Sequence, residues 1–455
     1  MKSLIVVVIL FHWLFNIWAA EEVPTGSKYF KLANGLQVFL EERDKIPLVN
    51  IGFAVHMGSR NETRETNGLV HLLEHLLLLG GTDTYPAKEL MEKIRGNGLY
   101  FNAHTGHDIM TLDISAPSEH TDKALAILKE KVFNLKLAAE EVEKEKKVIL
   151  EELSQIEDDP EKLGMKLLLQ ALFSGHPYEK PVSGDKTIIE AATASQLEAF
   201  YKKYFVPSNC AIALVGDFKI ETMEKRITEI FAPFENPPGS MPEFTTVSPL
   251  KKNIEITREL DITQAHMFFG FLAPGANHED KTTMDVLTQI LGKGVQPLLY
   301  RGMSGGVRRL VETMSMSYLP LQYGGAVLIH MVVTPRNVNP AQKKLIKFLK
   351  ATRNIKYSKD DYLPSERLNI TDYLETAKIW MRYAYQEYRE RGLNLALSYA
   401  RYMLVNNNPD GKSYSERLDA VTSSLLGKAA ADYFSGEKYA LITIVPQKKK
   451  SANQP

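Results

Sequence analysis

Residues 68–82 read Gly-Leu-Val-His-Leu-Leu-Glu-His-Leu-Leu-Leu-Leu-Gly-Gly-Thr, a mainly apolar run that carries His71, Glu74 and His75. A helix turns about 100° per residue, so His71 and His75 fall one turn apart on one face with Glu74 beside them. Two imidazoles at i and i+4 can hold one Zn²⁺, and an adjacent carboxylate can take a proton from water. Chance occurrence is the competing explanation for any short motif. Against it, this trio is a poor core face among Leu69, Val70, Leu72, Leu73 and Leu76 to Leu79. Buried polar groups need partners, and a metal ion is one. Asn67 reads as the N-cap and Gly80-Gly81 as the stop.

A zinc site with two histidines needs a third protein ligand. Residues 139–157 read as a strongly charged helix in which most charges fit a solvated face with i,i+4 pairs. Glu145 and Glu152, about two turns apart, share a face with Val148, and one of them could complete the site. His104 and His107 form a second possible pair. Their i,i+3 spacing lies in a Gly-containing segment and fits a polar strand better than a metal site.

With 455 residues the chain has room for two to three domains. Lys+Arg and Asp+Glu are both 55, so nothing in the overall charge favours nucleic acid. Lys2, the apolar stretch Leu4 to Trp18 and Ala19-Ala20 read as a signal peptide over residues 1–20, with an uncleaved anchor as the alternative. Cys210 is the only cysteine, so no intrachain disulfide can form. Export without disulfides suits a bacterial periplasm, and the expected location is periplasmic or secreted. No later stretch is apolar enough to span a membrane in the mature chain.

The prolines at 237, 238, 242 and 249 mark residues 235–249 as a linker between domains at 21–234 and 250–447, with a tail at 448–455. The halves share a faint grammar. Thr193-Ala194-Ser195 opens a helix followed by the strand Cys210 to Val215, and Thr422-Ser423-Ser424 opens one followed by Ala440 to Val445. Residues 365–405 read as one long helical region rich in Tyr and Arg, with a solvated face.

Gly68, His71-x-x-Glu74-His75, Gly81-Thr82, Asn102-Ala103 and Glu145-x6-Glu152 together resemble the pitrilysin, insulinase and mitochondrial-processing-peptidase family of inverted-motif zinc peptidases. Pro207-Ser208-Asn209 and Val215-Gly216-Asp217 resemble that family's domain end. The resemblance covers roughly residues 28–445 and is loose in the second half. It implies an α/β (α+β) fold of two similar domains, each a mainly antiparallel sheet packed with helices, forming a clam-like chamber. It also implies one Zn²⁺ per chain held by His71, His75 and Glu152. Glu145 would support the site as an acid behind the ligands, and Glu74 would act as general base. A peptide would pair along the strand of Asn102 and Ala103. The implied activity is that of a zinc metalloendopeptidase acting on peptides or small unfolded proteins.

The family's second domain often carries an Arg and a Tyr seven residues apart. Arg301, Arg308 and Arg309 lack a Tyr at that spacing, and Tyr318 is the one candidate for a displaced partner. That asymmetry implies a homologous second subunit in a heterodimer, with a homodimer as the fallback. A non-catalytic scaffold subunit, or a zinc- or peptide-binding module without turnover, would account for the same motifs.

Overall fold

The computed structural model describes residues 26–239, 241–294, 297–304, 309–361, 372–405, 413–434 and 438–447. The expected signal peptide, the 448–455 tail and Arg308 lie outside the described residues. The chain forms two compact units. One comprises residues 19–248 together with 387–411, the other 249–386 together with 412–455.

The first unit is built on β1 (Ser27–Lys31), β2 (Gln37–Glu42), β3 (Leu48–Val55), β4 (Tyr100–Thr105), β5 (Met110–Pro117) and β6 (Cys210–Gly216). They lie in the order β1-β2-β6-β3-β5-β4. The Asn34-Gly35 turn joins β1 to β2, with Gly35 at φ 92°, a left-handed value that glycine adopts without steric cost. Only β2 and β6 pair in parallel, and all other neighbours are antiparallel.

Alternation sends Ile51, Phe53 and Val55 of β3 to one face, where they share a core with Leu69, Leu72, Leu73 and Leu76. The opposite face carries small residues, with Gly52 beside Ala213 and Ala54 beside Ala211. The helix Gly392–Val405 lies there so closely that a Cβ on Gly52 would stand 2.5 Å from the Ala396 carbonyl carbon. Tyr399 of this helix packs on Phe39 and donates to the buried Glu41 at 2.9 Å. The expected long helix over 365–405 is therefore two among the described residues, Tyr373–Glu390 and Gly392–Val405. The second of them, expected in the 250–447 domain, belongs to the first unit. Its periodicity announces a helix but not the sheet it covers.

The second unit holds β7 (Ile254–Leu260), β8 (Ala265–Ala273), β9 (Thr313–Leu321), β10 (Gly324–Val333) and β11 (Ala440–Pro446), in the order β7-β11-β8-β10-β9. β7 and β11 pair in parallel and the remaining neighbours are antiparallel. In both sheets the first and last strands of the repeat pair in parallel, β2 with β6 and β7 with β11, so the two halves share one topology. Each half is thus an α/β domain with a mainly antiparallel sheet. The helix between β3 and β4 is the histidine-bearing one. Its counterpart between β8 and β9, Lys281–Gly292, contains neither His nor Glu.

The described residues of 235–249 form no helix or strand. The stretch is not free, because Phe244 lies 5.1 Å from the Arg60 guanidinium and the Thr245 carbonyl accepts from His176 at 2.9 Å. Among the described residues no helix is long and apolar enough to cross a membrane.

Candidate metal centre

The motif folds as the helix Leu69–Leu79. Its N-cap is Gly68 at φ 109°, not Asn67. A Cβ on Gly68 would meet the Gly184 Cα at 2.9 Å, so close backbone packing outweighs the preference for Asn as a cap. The first turn is held instead by the buried Glu62 carboxylate, which accepts from the backbone N–H of Gly68 at 2.9 Å and of Val70 at 2.8 Å. At the other end the buried Lys131 ammonium donates to the carbonyls of Leu78 at 3.2 Å and Gly80 at 2.6 Å. An anion at the amino end and a cation at the carboxyl end both complement the helix dipole.

Six leucines and valines bury the other sides of this helix, leaving His71, Glu74 and His75 toward the charged helix Ala139–Asp158. That helix lines up three carboxylates. Glu141 accepts from the Gly81 backbone at 3.1 Å. Glu145, 2% exposed, lies 3.3 Å from His75 Nδ1. Glu152 places one oxygen 3.8 Å from both His71 Nε2 and His75 Nε2. The potential ligand atoms of His71, His75 and Glu152 all lie within 4.8 Å of one another, an arrangement that could hold a metal ion. Thus Glu145 and Glu152 split their tasks: one backs an imidazole and the other faces the space between two.

Burial drives His71 down to about 3, with His75 adding to the fall. Burial also opposes charge on His75, but the neighbouring carboxylates, Glu145 first, outweigh it and raise that imidazole. Burial lifts the Glu74 carboxyl to about 7, against the pull of Thr105 and His75. A neutral imidazole is the form a metal binds, and a carboxyl poised near neutrality is suited to moving protons.

β4 is one of the two edge strands of the sheet, and the motif helix packs beside it. Ala103 is buried in the core shared with that helix. Asn102 lies on the opposite face, its amide 3.2 Å from the Tyr100 hydroxyl and 3.3 Å from His104 Nε2. His104 and His107 do not converge. His104 sits 3.5 Å from Asp113, whereas the buried His107 takes part in a 2.8 Å hydrogen bond with the Ser59 hydroxyl. In the second unit Tyr318 donates to the Pro274 carbonyl at 2.7 Å, Arg301 to Tyr373 at 3.0 Å, and Arg309 to nearby backbone carbonyls.

Asp113, across from Asn102 on β5, is 2% exposed, and burial raises its carboxyl to about 6. The unfolded chain ionises this group near 3.8, so folding is penalised increasingly as pH rises from there to about 6, and fully above. Asp113→Asn should match the parent in stability below about pH 4 and exceed it above pH 6 by on the order of 2–3 kcal/mol. Urea midpoints across that range check this, and a pH-independent difference would contradict it.

Residues 37–186 match the insulinase family (peptidase family M16), and residues 191–363 match the peptidase M16 inactive domain. The chain belongs to the insulinase family. Among its M16 relatives is the uncharacterized zinc protease YmxG of Bacillus subtilis, 28% identical over 277 residues, which are 60% of this chain and 66% of that one. Another, from Arabidopsis thaliana, is named probable mitochondrial-processing peptidase subunit beta, and is 25% identical over 263 residues, 57% of this chain and 49% of that one. This M16 chain spans a little under two thirds of the first relative's length and about half of the second's. Its fold is that of a protease from Helicobacter pylori, with a TM-score of 0.84 at 21% identity over 93% of this chain and all of that one.

Glu62, Lys131 and Glu141 had no signal in the sequence. Each stands among other charges in the sequence, and only the tertiary fold brings it against an end of the motif helix.

Proposed function

We propose that this M16 chain is a zinc metalloendopeptidase acting on peptides or small unfolded proteins. The observation that carries the reading is the convergence of His71 Nε2, His75 Nε2 and a Glu152 oxygen beside Glu74. Two imidazole nitrogens and one carboxylate oxygen are a donor set zinc accepts, three of the four ligands it usually takes. Zinc, when bound, supplies Lewis acidity, polarising a scissile carbonyl and acidifying water.

The chain's own residues do the rest. His71, His75 and Glu152 hold the ion. Glu145 fixes the His75 ring through Nδ1, which leaves Nε2 for the metal. Glu74 accepts the proton of the attacking water and returns it to the departing amine. The open edge of β4, with Asn102 and Ala103, pairs with an extended peptide through backbone hydrogen bonds. Zinc content measured together with cleavage of a fluorogenic peptide tests the whole reading. Zinc without cleavage would leave a binding module, and neither would leave a scaffold.

Glu152→Gln should weaken zinc binding by more than the 10- to 100-fold typical of changes outside the ligand set. Competition with a chromogenic chelator measures it. Unchanged affinity would move the third ligand elsewhere, with Glu145 the first candidate.

The relative named as a subunit supports a second homologous chain as partner, and the lack of an Arg-x6-Tyr pair in the second domain supports an unlike one. A homodimer is the fallback. We place the site of action in the periplasm or outside the cell, on the export signal read in residues 1–20.

A further inference from the structure

Both zinc-facing imidazoles must hold a proton on Nδ1 if Nε2 is to bind metal, and that proton needs an acceptor. For His75 the acceptor is Glu145. For His71 no side chain among the described residues serves. Its Nδ1 is buried with no hydrogen bond of good geometry, and the backbone group acting on the ring is that of Ser183. Ser183 lies outside helix and sheet, in a short turn where the Gly184 N–H donates to the Pro181 carbonyl at 3.1 Å.

Asn67 grips this turn from both sides. Its Nδ2 donates to the Pro181 carbonyl at 3.0 Å, and its own carbonyl accepts from the Asp185 N–H at 3.2 Å. The same Nδ2 donates to Glu62 at 2.7 Å, and the other Glu62 oxygen holds the first turn of the motif helix. The side chains of Asn67 and Glu62 are buried, 5% and 4% exposed. The turn also has no slack against the helix, since a Cβ on Gly184 would stand 2.5 Å from the Gly68 Cα.

We infer that Asn67 is a positioning residue for the metal centre, tying the Pro181–Asp185 turn to the motif helix so that the Ser183 backbone orients His71. This rests on the zinc reading above, and nothing in the sequence pattern assigns Asn67 more than a capping role.

The test uses the full chain and four variants: Asn67→Ala, Glu152→Gln, Glu62→Gln and the double Glu62→Gln/Asn67→Asp. Zinc affinity is read by chelator competition, ligand geometry by the visible spectrum of the Co²⁺-loaded protein, and folding by the melting temperature of the metal-free protein. Asn67→Ala should bind zinc about 10- to 100-fold more weakly and alter the Co²⁺ spectrum. In the double variant the pair between 62 and 67 is restored with donor and acceptor exchanged, but the Pro181 carbonyl still lacks its donor. It should therefore recover metal-free stability relative to Glu62→Gln while zinc stays weak. If Asn67→Ala lowers only the melting temperature, with zinc affinity and Co²⁺ spectrum unchanged, the inference is overturned. Recovery of zinc affinity in the double variant would overturn it too. Glu152→Gln separates the two levels: if that variant binds zinc normally the ligand assignment on which the inference rests fails, and if it alone loses zinc only the role of Asn67 fails.

Discussion

Glu74→Gln is expected to keep its zinc and to lose peptide hydrolysis by on the order of 10²- to 10⁴-fold, the usual contribution of a general base. The substitution preserves volume and leaves the neighbouring Thr105 and His75 in place. It removes only the basic oxygen. Glu74 is also not among the three residues whose ligand atoms converge, so the metal should not notice. Zinc content by atomic absorption and cleavage of a fluorogenic peptide, measured on one preparation, give the two numbers. Turnover close to that of the parent would refute the assigned role, and loss of zinc together with activity would make Glu74 part of the binding set.

Expression of residues 26–248 without the rest of the chain should give an aggregated product, although that stretch contains every residue of the metal centre. The missing part is the helix Gly392–Val405, which covers the second face of the first sheet. Its removal uncovers Phe39 and the Gly52 and Ala54 surface. Leu395, Ala396, Tyr399 and Ala400, all buried, are lost with it. At roughly 1.5–3 kcal/mol for each large apolar side chain, the loss approaches the whole 5–15 kcal/mol that holds a domain together. Polar ties go too: Glu41 loses the Tyr399 hydroxyl, Arg43 the Arg389 carbonyl and Gln37 the Met403 carbonyl. Fusing residues 387–411 to the fragment through a flexible linker should restore a soluble, cooperatively melting domain. A soluble 26–248 with a sharp melting transition would refute the prediction.

Local features were legible in the sequence. The His71, Glu74 and His75 trio announced itself because a helix converts spacing into direction. Gly80 ended that helix where the sequence placed its stop, though in an extended conformation at φ −74°, and the Thr193 and Thr422 caps opened matching helices in the two halves. Glu152 and Glu145 were reached through a family resemblance, since their spacing alone matches an ordinary charged helix. What stayed hidden depends on distant partners. Asn67 looked like a cap because nothing nearby in sequence reveals that Gly184 presses on Gly68. Lys131 looked like a surface lysine among the other charges of its helix, yet it is completely buried at the end of another. The helix at 392–405 had the right period and the wrong address.

That address sets an order of events during synthesis. The strand that closes the first sheet, β6, ends at Gly216, but the element that shields the sheet's far side emerges only after most of the second unit has been made. A chain delivered amino end first therefore holds the uncovered surface around Gly52 and Phe39 exposed while the intervening residues arrive. Contacts so distant in sequence form slowly, and surfaces left open meanwhile are prone to aggregate. The metal-binding half, though first out, cannot be completed until the helix ending at Val405 has been made, and that waiting sheet is the surface a holding chaperone would meet.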